Sequence, residues 1–170
     1  MDRSVLAALA KWPNVPDVFG WLSLTARGEW RIRGEPIGNA AIRAFVSRNY
    51  ASDNKGRWYF QNGPQRVFVT LDAMPWVIRV SNGLSTHTGV PVHACTAAVL
   101  LDDGRIVLQT DLGAGIVDDR DNPLLLPAMH ELSLLDVSAL GCAGGRLVLQ
   151  RESLGRCAER FGVVQVPEPD

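Results

Sequence analysis

Three histidines and three cysteines are the residues with the most chemical potential in this chain. His87, His93 and Cys95 lie close together, and Cys142 or Cys157 could supply a fourth ligand to a zinc ion. Zinc takes four tetrahedral ligands, usually delivered in tight paired spacings. His93-x-Cys95 is not such a pair, although residues two apart share a face in a strand. The expectation is therefore no metal and no cofactor, with His87 in a loop beside a half-buried His93 and Cys95. The cysteines are odd in number and widely spaced, so they form no disulfide framework. Reduced thiols in a cytoplasm are the simplest expectation.

Other chemistries lack a necessary residue. There is no Gly-x-Ser-x-Gly elbow to expose a nucleophilic serine. His130-Glu131 has no second histidine at helical spacing, so a zinc-protease helix is excluded. Asp118-Asp119-Arg120-Asp121-Asn122 invites calcium, but the loop has no central glycine and no closing glutamate. It reads instead as an acidic turn ahead of Pro123, and Asp102-Asp103 as a hairpin turn. Asp111-Leu112-Gly113-Ala114-Gly115 has Gly-x-Gly but no third glycine and no Lys-Ser/Thr, so neither phosphate loop fits; a β-turn or bulge is expected.

These residues must be positioned by short elements. Ser4 to Ala10 reads as an amphipathic helix, ended by Trp12-Pro13. Phe19–Leu24 and Glu29–Arg33 read as the two strands of a hairpin, with Trp30 and Ile32 of the return strand alternating with Glu29, Arg31 and Arg33. Asn39 caps a helix over Ala40–Tyr50, with Ile42, Phe45 and Val46 at helical spacing. Strands follow at Arg57–Gln61 and Gln65–Leu71 around the tight turn Asn62-Gly63, then at Trp76–Val80. Ser81–Pro91, rich in Gly, Ser, Thr, Asn and Pro, reads as a linker or flexible loop. Beyond it are strands at Ala97–Leu101, Arg105–Gln109, Ile116-Val117, Leu124–Leu126 and Arg146–Gln150. A helix over Glu152–Phe161 and a strand at Val163–Val166 complete the pattern. Gly104-Arg105-Ile106-Val107-Leu108-Gln109 recurs as Gly145-Arg146-Leu147-Val148-Leu149-Gln150, which reads as two independent return strands. Trp21, Trp30, Trp58 and Trp76 fall in strands and read as sheet core, Trp21 and Trp30 approaching each other in the first hairpin. Trp12 is the candidate for an exposed contact.

Bulk properties narrow the function. The 170 residues suffice for one domain or two small ones. The formal net charge is −1, and lysine occurs only as Lys11 and Lys55, so no basic stripe exists for nucleic acid or an anionic membrane surface. No apolar run reaches the length of a membrane span, and the N-terminal run, interrupted by Lys11, does not read as a signal peptide.

One set of motifs goes further. Gly28-Glu29-Trp30, Gly34-Glu35-Pro36-Ile37, the helix carrying Phe45, the Asp53–Phe60 stretch and Val67-Phe68-Val69 with Asp72-Ala73-Met74-Pro75-Trp76 come in that order. Leu108-Gln109-Thr110-Asp111-Leu112-Gly113 and Asp121-Asn122-Pro123-Leu124 follow. Together, over residues 18 to 126, they resemble the uncharacterised proteobacterial domain-of-unknown-function family 1285 or a sister family. That family has Thr-Asn before its Gly-Asp, where this chain has Thr110-Asp111 and then Gly113-Ala114. The resemblance implies a compact, cytosolic α+β protein of two small β-rich parts, and brings no catalytic residues with it.

The fold expected is α+β: antiparallel, β-rich, in two packed parts over 1–82 and 92–170 built on hairpins, with the helix Ala40–Tyr50 in the first. The order of elements contains no repeated βαβ unit. The function expected is a non-enzymatic small-ligand-binding or regulatory module, its site at the loop-rich junction of the parts, where Glu35, Asp72, Trp76, Thr110 and Asp111 could converge. A protein-interaction or homodimeric assembly domain is the alternative, suggested by aromatic strands and low net charge. A dispersed acid–base enzyme, pairing Asp111 with His93 or His130, ranks last because no spacing places those groups within reach.

Overall fold

The computed structural model describes residues 1–12, 14–130 and 133–170. Pro13, expected to end the first helix, and Glu131 of the His130-Glu131 pair lie outside the described residues. The fold is α+β and sheet-dominated, with two mixed sheets. Its contacts divide the chain into two units. The first comprises Met1–Thr25, Glu29–Asp72 and Val164–Asp170, the second Ala26–Gly28 and Ala73–Val163.

The first unit starts with helix α1 (Arg3–Lys11), then β1 (Val18–Leu24), β2 (Trp30–Ile32), β3 (Glu35–Pro36), helix α2 (Ala40–Arg48), β4 (Tyr50–Ser52), β5 (Trp58–Asn62) and β6 (Gln65–Leu71). The sheet order is β3-β2-β1-β6-β5-β4. All its pairings are antiparallel except β1 with β6 at the centre. It is thus two three-stranded meanders joined through α2. Asn39 caps α2, its side-chain oxygen accepting from the backbone N–H of Ala41 and Ile42. Asn49, fully buried, accepts from the Asp2 backbone N–H at 2.7 Å and donates to the Phe45 carbonyl at 2.9 Å, so the end of α2 holds the start of α1.

The returning segment Val164–Asp170 completes this unit. Val164 bridges to Arg57, and Gln165 accepts from the Leu71 N–H. Val163–Val166 was expected to be a strand, but only this single bridge forms. Arg57 is buried and pairs with Asp53 at 2.8 Å, and its guanidinium also donates to the Glu168 carbonyl and the Asp170 carboxylate.

The second unit carries β7 (Trp76–Ser81), β8 (Gly83–Thr86), β9 (Cys95–Leu101), β10 (Ile106–Thr110), β11 (Gly113–Val117), helix α3 (Asn122–Leu125), β12 (Met129–His130), β13 (Leu134–Asp136), β14 (Arg146–Glu152) and helix α4 (Leu154–Arg160). The order is β12-β13-β14-β9-β10-β11-β7-β8, with β14–β9 and β11–β7 parallel. Val77, Val99, Leu101, Val107 and Ile116 form the core with Cys157 and Ala158 of α4. The repeated hexapeptide falls on β10 and β14, which flank β9 on its two sides, one antiparallel and one parallel.

Two further expectations are corrected here. Ser81–Pro91 is not a linker: Gly83–Thr86 is β8, paired with β7, and the units divide near Asp72. Its Gly and Ser content serves a tight two-strand turn instead. Leu124–Leu126 is not a strand, because Asp118 caps a 3-10 turn over Asp119–Asp121 and Pro123 enters α3 near its start, where a missing N–H costs nothing. Asp111–Gly115, expected as a β-turn or bulge, holds the turn at Asp111-Leu112, and its glycines Gly113 and Gly115 lie in β11. A Cβ on Gly115 would approach the Ile78 side chain to 2.6 Å, so the glycine admits close packing.

Candidate functional site

The most ligand-like feature of the first unit is an apolar groove of about 450 Å³ between α2 and the sheet. Helical spacing places Ile42, Phe45 and Val46 on one face of α2. Val46 is 3% exposed, whereas Ile42 is 47% exposed, so the apolar face is covered at its C-terminal end and open towards its N-terminus. Phe45 meets Phe60 of β5 edge-on at 5.5 Å. On the sheet side Trp21 and Ile32 complete the wall, and both are about half exposed.

Trp21 reaches the groove through an irregular strand. Val18 pairs with Val67 and Leu22 with Val69, so β1 has three intervening residues where β6 has one. Gly20 sits in this bulge with φ +73°, a conformation that suits glycine. Trp30, expected to approach Trp21, is instead 2% exposed and packs edge-on against Tyr50 at 5.0 Å. At the lip, the Arg33 guanidinium lies 3.9 Å from the Trp21 ring centroid. Arg33 is the only non-glycine with positive φ among the described residues, and its N–H donates to the Trp21 carbonyl. The polar groups of the groove are few: Asn62 and Gln65, whose Nε2 donates to the Pro16 carbonyl.

The five residues expected to form a site divide between the units. Glu35 lies exposed on β3, and Asp72 is exposed after β6, its N–H donating to the Leu24 carbonyl; both belong to the first unit. Trp76, Thr110 and Asp111 belong to the second and gather around the β10–β11 turn. The Trp76 indole donates to the Leu112 carbonyl at 2.7 Å, and the Thr110 hydroxyl donates to the Gly113 carbonyl at 2.7 Å. Asp111 accepts from the backbone N–H of His93 and Ala94.

His93 is exposed and Cys95 is buried, so neither is half-buried as expected. His87 lies beneath Gly28, whose added Cβ would come within 2.7 Å of the histidine Cβ. Its Nδ1 accepts from the Val77 N–H, and burial pushes its pKa down to about 4. Among the described residues, no group of three His, Cys, Asp or Glu side chains is placed to hold a metal ion.

The acidic run is an ion-pair network. Asp118 is fully buried and Asp121 is 6% exposed. Arg79 donates to Asp121 at 2.7 Å, Arg120 to Asp118 at 2.8 Å, and Arg27 to Asp119 at 2.8 and 2.7 Å. The Arg79 guanidinium lowers the pKa of Asp121, and Arg27 lowers that of Asp119 to about 2. These carboxylates are spent on arginines, which leaves little capacity for calcium. The alternation of Arg and Asp was visible in the sequence, but the distant partners Arg27 and Arg79 were not.

Comparison with known proteins bears on the fold and the family. The model of the family DUF2944, described as "Protein of unknown function (DUF2946)", matches residues 1–168. The chain belongs to this family of unknown function. No curated protein matches it. A solved DUF1285 family protein from Silicibacter pomeroyi DSS-3 is similar at 18% identity, covering 84% of this chain and 86% of that one, with a TM-score of 0.53. A second, from Shewanella baltica OS155, shares 16% identity over 64% of this chain and 92% of its own, with a TM-score of 0.49. At such identity the Silicibacter protein shows a shared fold. That shared fold accords with the motif resemblance to DUF1285 seen in the sequence.

Proposed function

We propose that this DUF2944 protein is a non-enzymatic small-ligand-binding module, and that its ligand is an apolar molecule seated in the groove between α2 and the sheet of the first unit. The observation that carries this reading is a volume of about 450 Å³ walled by Trp21, Ile32, Ile42 and Phe45, three of them left about half exposed or more open than core residues. Small-molecule sites are typically concave, mostly apolar clefts of ~300–1,000 Å³ with few polar groups. Apolar side chains scattered singly on a surface need no explanation, but a contiguous concave cluster does. Of the polar residues expected to form a site, Trp76 and Thr110 already spend hydrogen bonds within the β10–β11 turn, which favours the groove.

Titration with an environment-sensitive apolar dye, anilinonaphthalene sulfonate, tests the reading. Saturable binding that Ile42→Lys weakens at least tenfold, with unchanged thermal stability, supports it. Binding unaffected by Ile42→Lys and by Phe45→Asn counts against it. A second reading, self-association through the same half-exposed Trp21, Ile32 and Ile42, predicts a dimer in sedimentation that Ile42→Lys dissociates.

A further inference from the structure

Cys95 opens β9, and Cys142 lies in the turn before β14. The two stretches are clamped together. Ala94 and Ala143 form a parallel bridge; the Cys95 N–H donates to the Ala143 carbonyl at 2.7 Å, and the Ala143 N–H donates to the His93 carbonyl at 2.8 Å. Asp111 fixes the other side of the β9 start through the N–H groups of His93 and Ala94. Gly144 rests against the Cys95 backbone. Between these fixed backbones the two Sγ atoms lie 3.2 Å apart, with both residues at most 3% exposed. A disulfide bond is about 2.05 Å long, so closure needs an approach of about 1 Å, within reach of small χ1 rotations of both side chains.

We propose that Cys95 and Cys142 are a dithiol site that closes to an intrachain disulfide, with a small organic disulfide such as oxidised glutathione as the oxidant. Burial pushes both thiols up, and the hydrogen bond from Cys95 partly offsets this at Cys142, which makes Cys142 the attacking sulfur. Its thiolate attacks one sulfur of the oxidant, that S–S bond breaks, and the departing thiolate takes up the proton that Cys142 gave. The Cys95 thiolate then displaces the second small thiol from the Cys142 sulfur, and that leaving group takes up the Cys95 proton. Two protein thiols are oxidised, and one small disulfide is reduced to two thiols. Because both sulfurs are buried, the rate follows opening of the turn around Cys142. Cys157 of α4, buried in the core cluster, stays a thiol and serves as an internal control.

The test equilibrates the full chain in glutathione buffers of graded oxidation, followed by alkylation, intact-mass measurement and peptide mapping. The expected result is loss of two of the three alkylatable thiols at the oxidising end, with a Cys95–Cys142 cross-linked peptide in a monomer. Oxidation should also raise the melting temperature by on the order of 10 °C, because the bond closes a long loop. Cys157→Ser should retain the protection, and Cys142→Ser should abolish it. Three alkylatable thiols in every buffer, a link involving Cys157, or a link between molecules would each overturn the proposal. Should Cys142→Ser fail to fold, Cys157→Ser and the peptide map decide alone.

Discussion

Gly144 approaches Cys95 so closely that a Cβ at position 144 would stand 2.2 Å from the Cys95 carbonyl oxygen and 2.9 Å from Val137 Cγ2. The contact is with backbone, which cannot swing aside, and φ at Gly144 is +142°, a region L side chains rarely adopt. Gly144→Ala is expected to destabilise the protein by roughly 3 kcal/mol or more. Urea denaturation gives the value; a loss below about 0.5 kcal/mol would mean that the turn shifts freely. Gly145, with open space around its Cβ position, is the matched control.

His87 makes stability depend on pH. Its folded pKa, about 4, lies below its ordinary value of 6.5, because burial disfavours the imidazolium. Between those values the unfolded chain binds a proton that the folded chain refuses, so stability rises with pH across this window. The contribution is fully present above about pH 6.5 and is lost as pH falls towards 4; it amounts to at most about 3 kcal/mol. Denaturation midpoints measured from pH 7 to pH 4 should fall more in the natural protein than in His87→Gln. Equal slopes in the two proteins would be incompatible with a neutral, buried His87.

Asp121 accepts both the Arg79 guanidinium, at 2.7 Å, and the Val80 backbone N–H, at 2.9 Å. Asp121→Ala strands a buried N–H and leaves Arg79 with the more distant Asp118, at 3.7 Å, for an expected cost of about 2 kcal/mol. Arg79 is 45% exposed at its side chain, so Arg79→Ala should cost less, because solvent screens the pair. Thermal denaturation of the two variants reads the order; the reverse order would show that the backbone hydrogen bond matters little.

Along α2 the exposure gradient predicts opposite responses at neighbouring positions. Val46→Ala, at the closed end, should cost roughly 2 kcal/mol. Ile42→Lys, at the open end, should change stability by less than about 0.5 kcal/mol. Chemical denaturation distinguishes them, and similar losses at both positions would mean that the groove is not open in solution.

Local chemistry was well written in the sequence. The Asn39 cap announced α2, alternation announced β2, β5 and β6, and Asn62-Gly63 announced its hairpin. What failed was read from composition alone: Ser81–Pro91 looked like a linker because glycine and serine dominate it, yet β8 needs only backbone hydrogen bonds to β7. Val163–Val166 looked like a strand from its valines, but one bridge to Arg57 exhausts its pairing. The groove was half legible. Its helical wall followed from the spacing of Ile42, Phe45 and Val46, whereas Trp21 was assigned to the sheet core because the bulge at Gly20 turns it by an irregularity that period-two counting ignores. The contact of Cys95 with Cys142 spans 47 positions, and no local pattern encodes it.

Val164–Asp170 supplies hydrogen bonds to Gly56, Leu71 and Arg57, which stand more than ninety positions earlier. During synthesis the ribosome therefore releases every residue of the second unit before the first has its last segment. The unit that begins first is the one that can finish only afterwards, and until then Arg57 lacks the Glu168 and Asp170 partners it has in the folded chain.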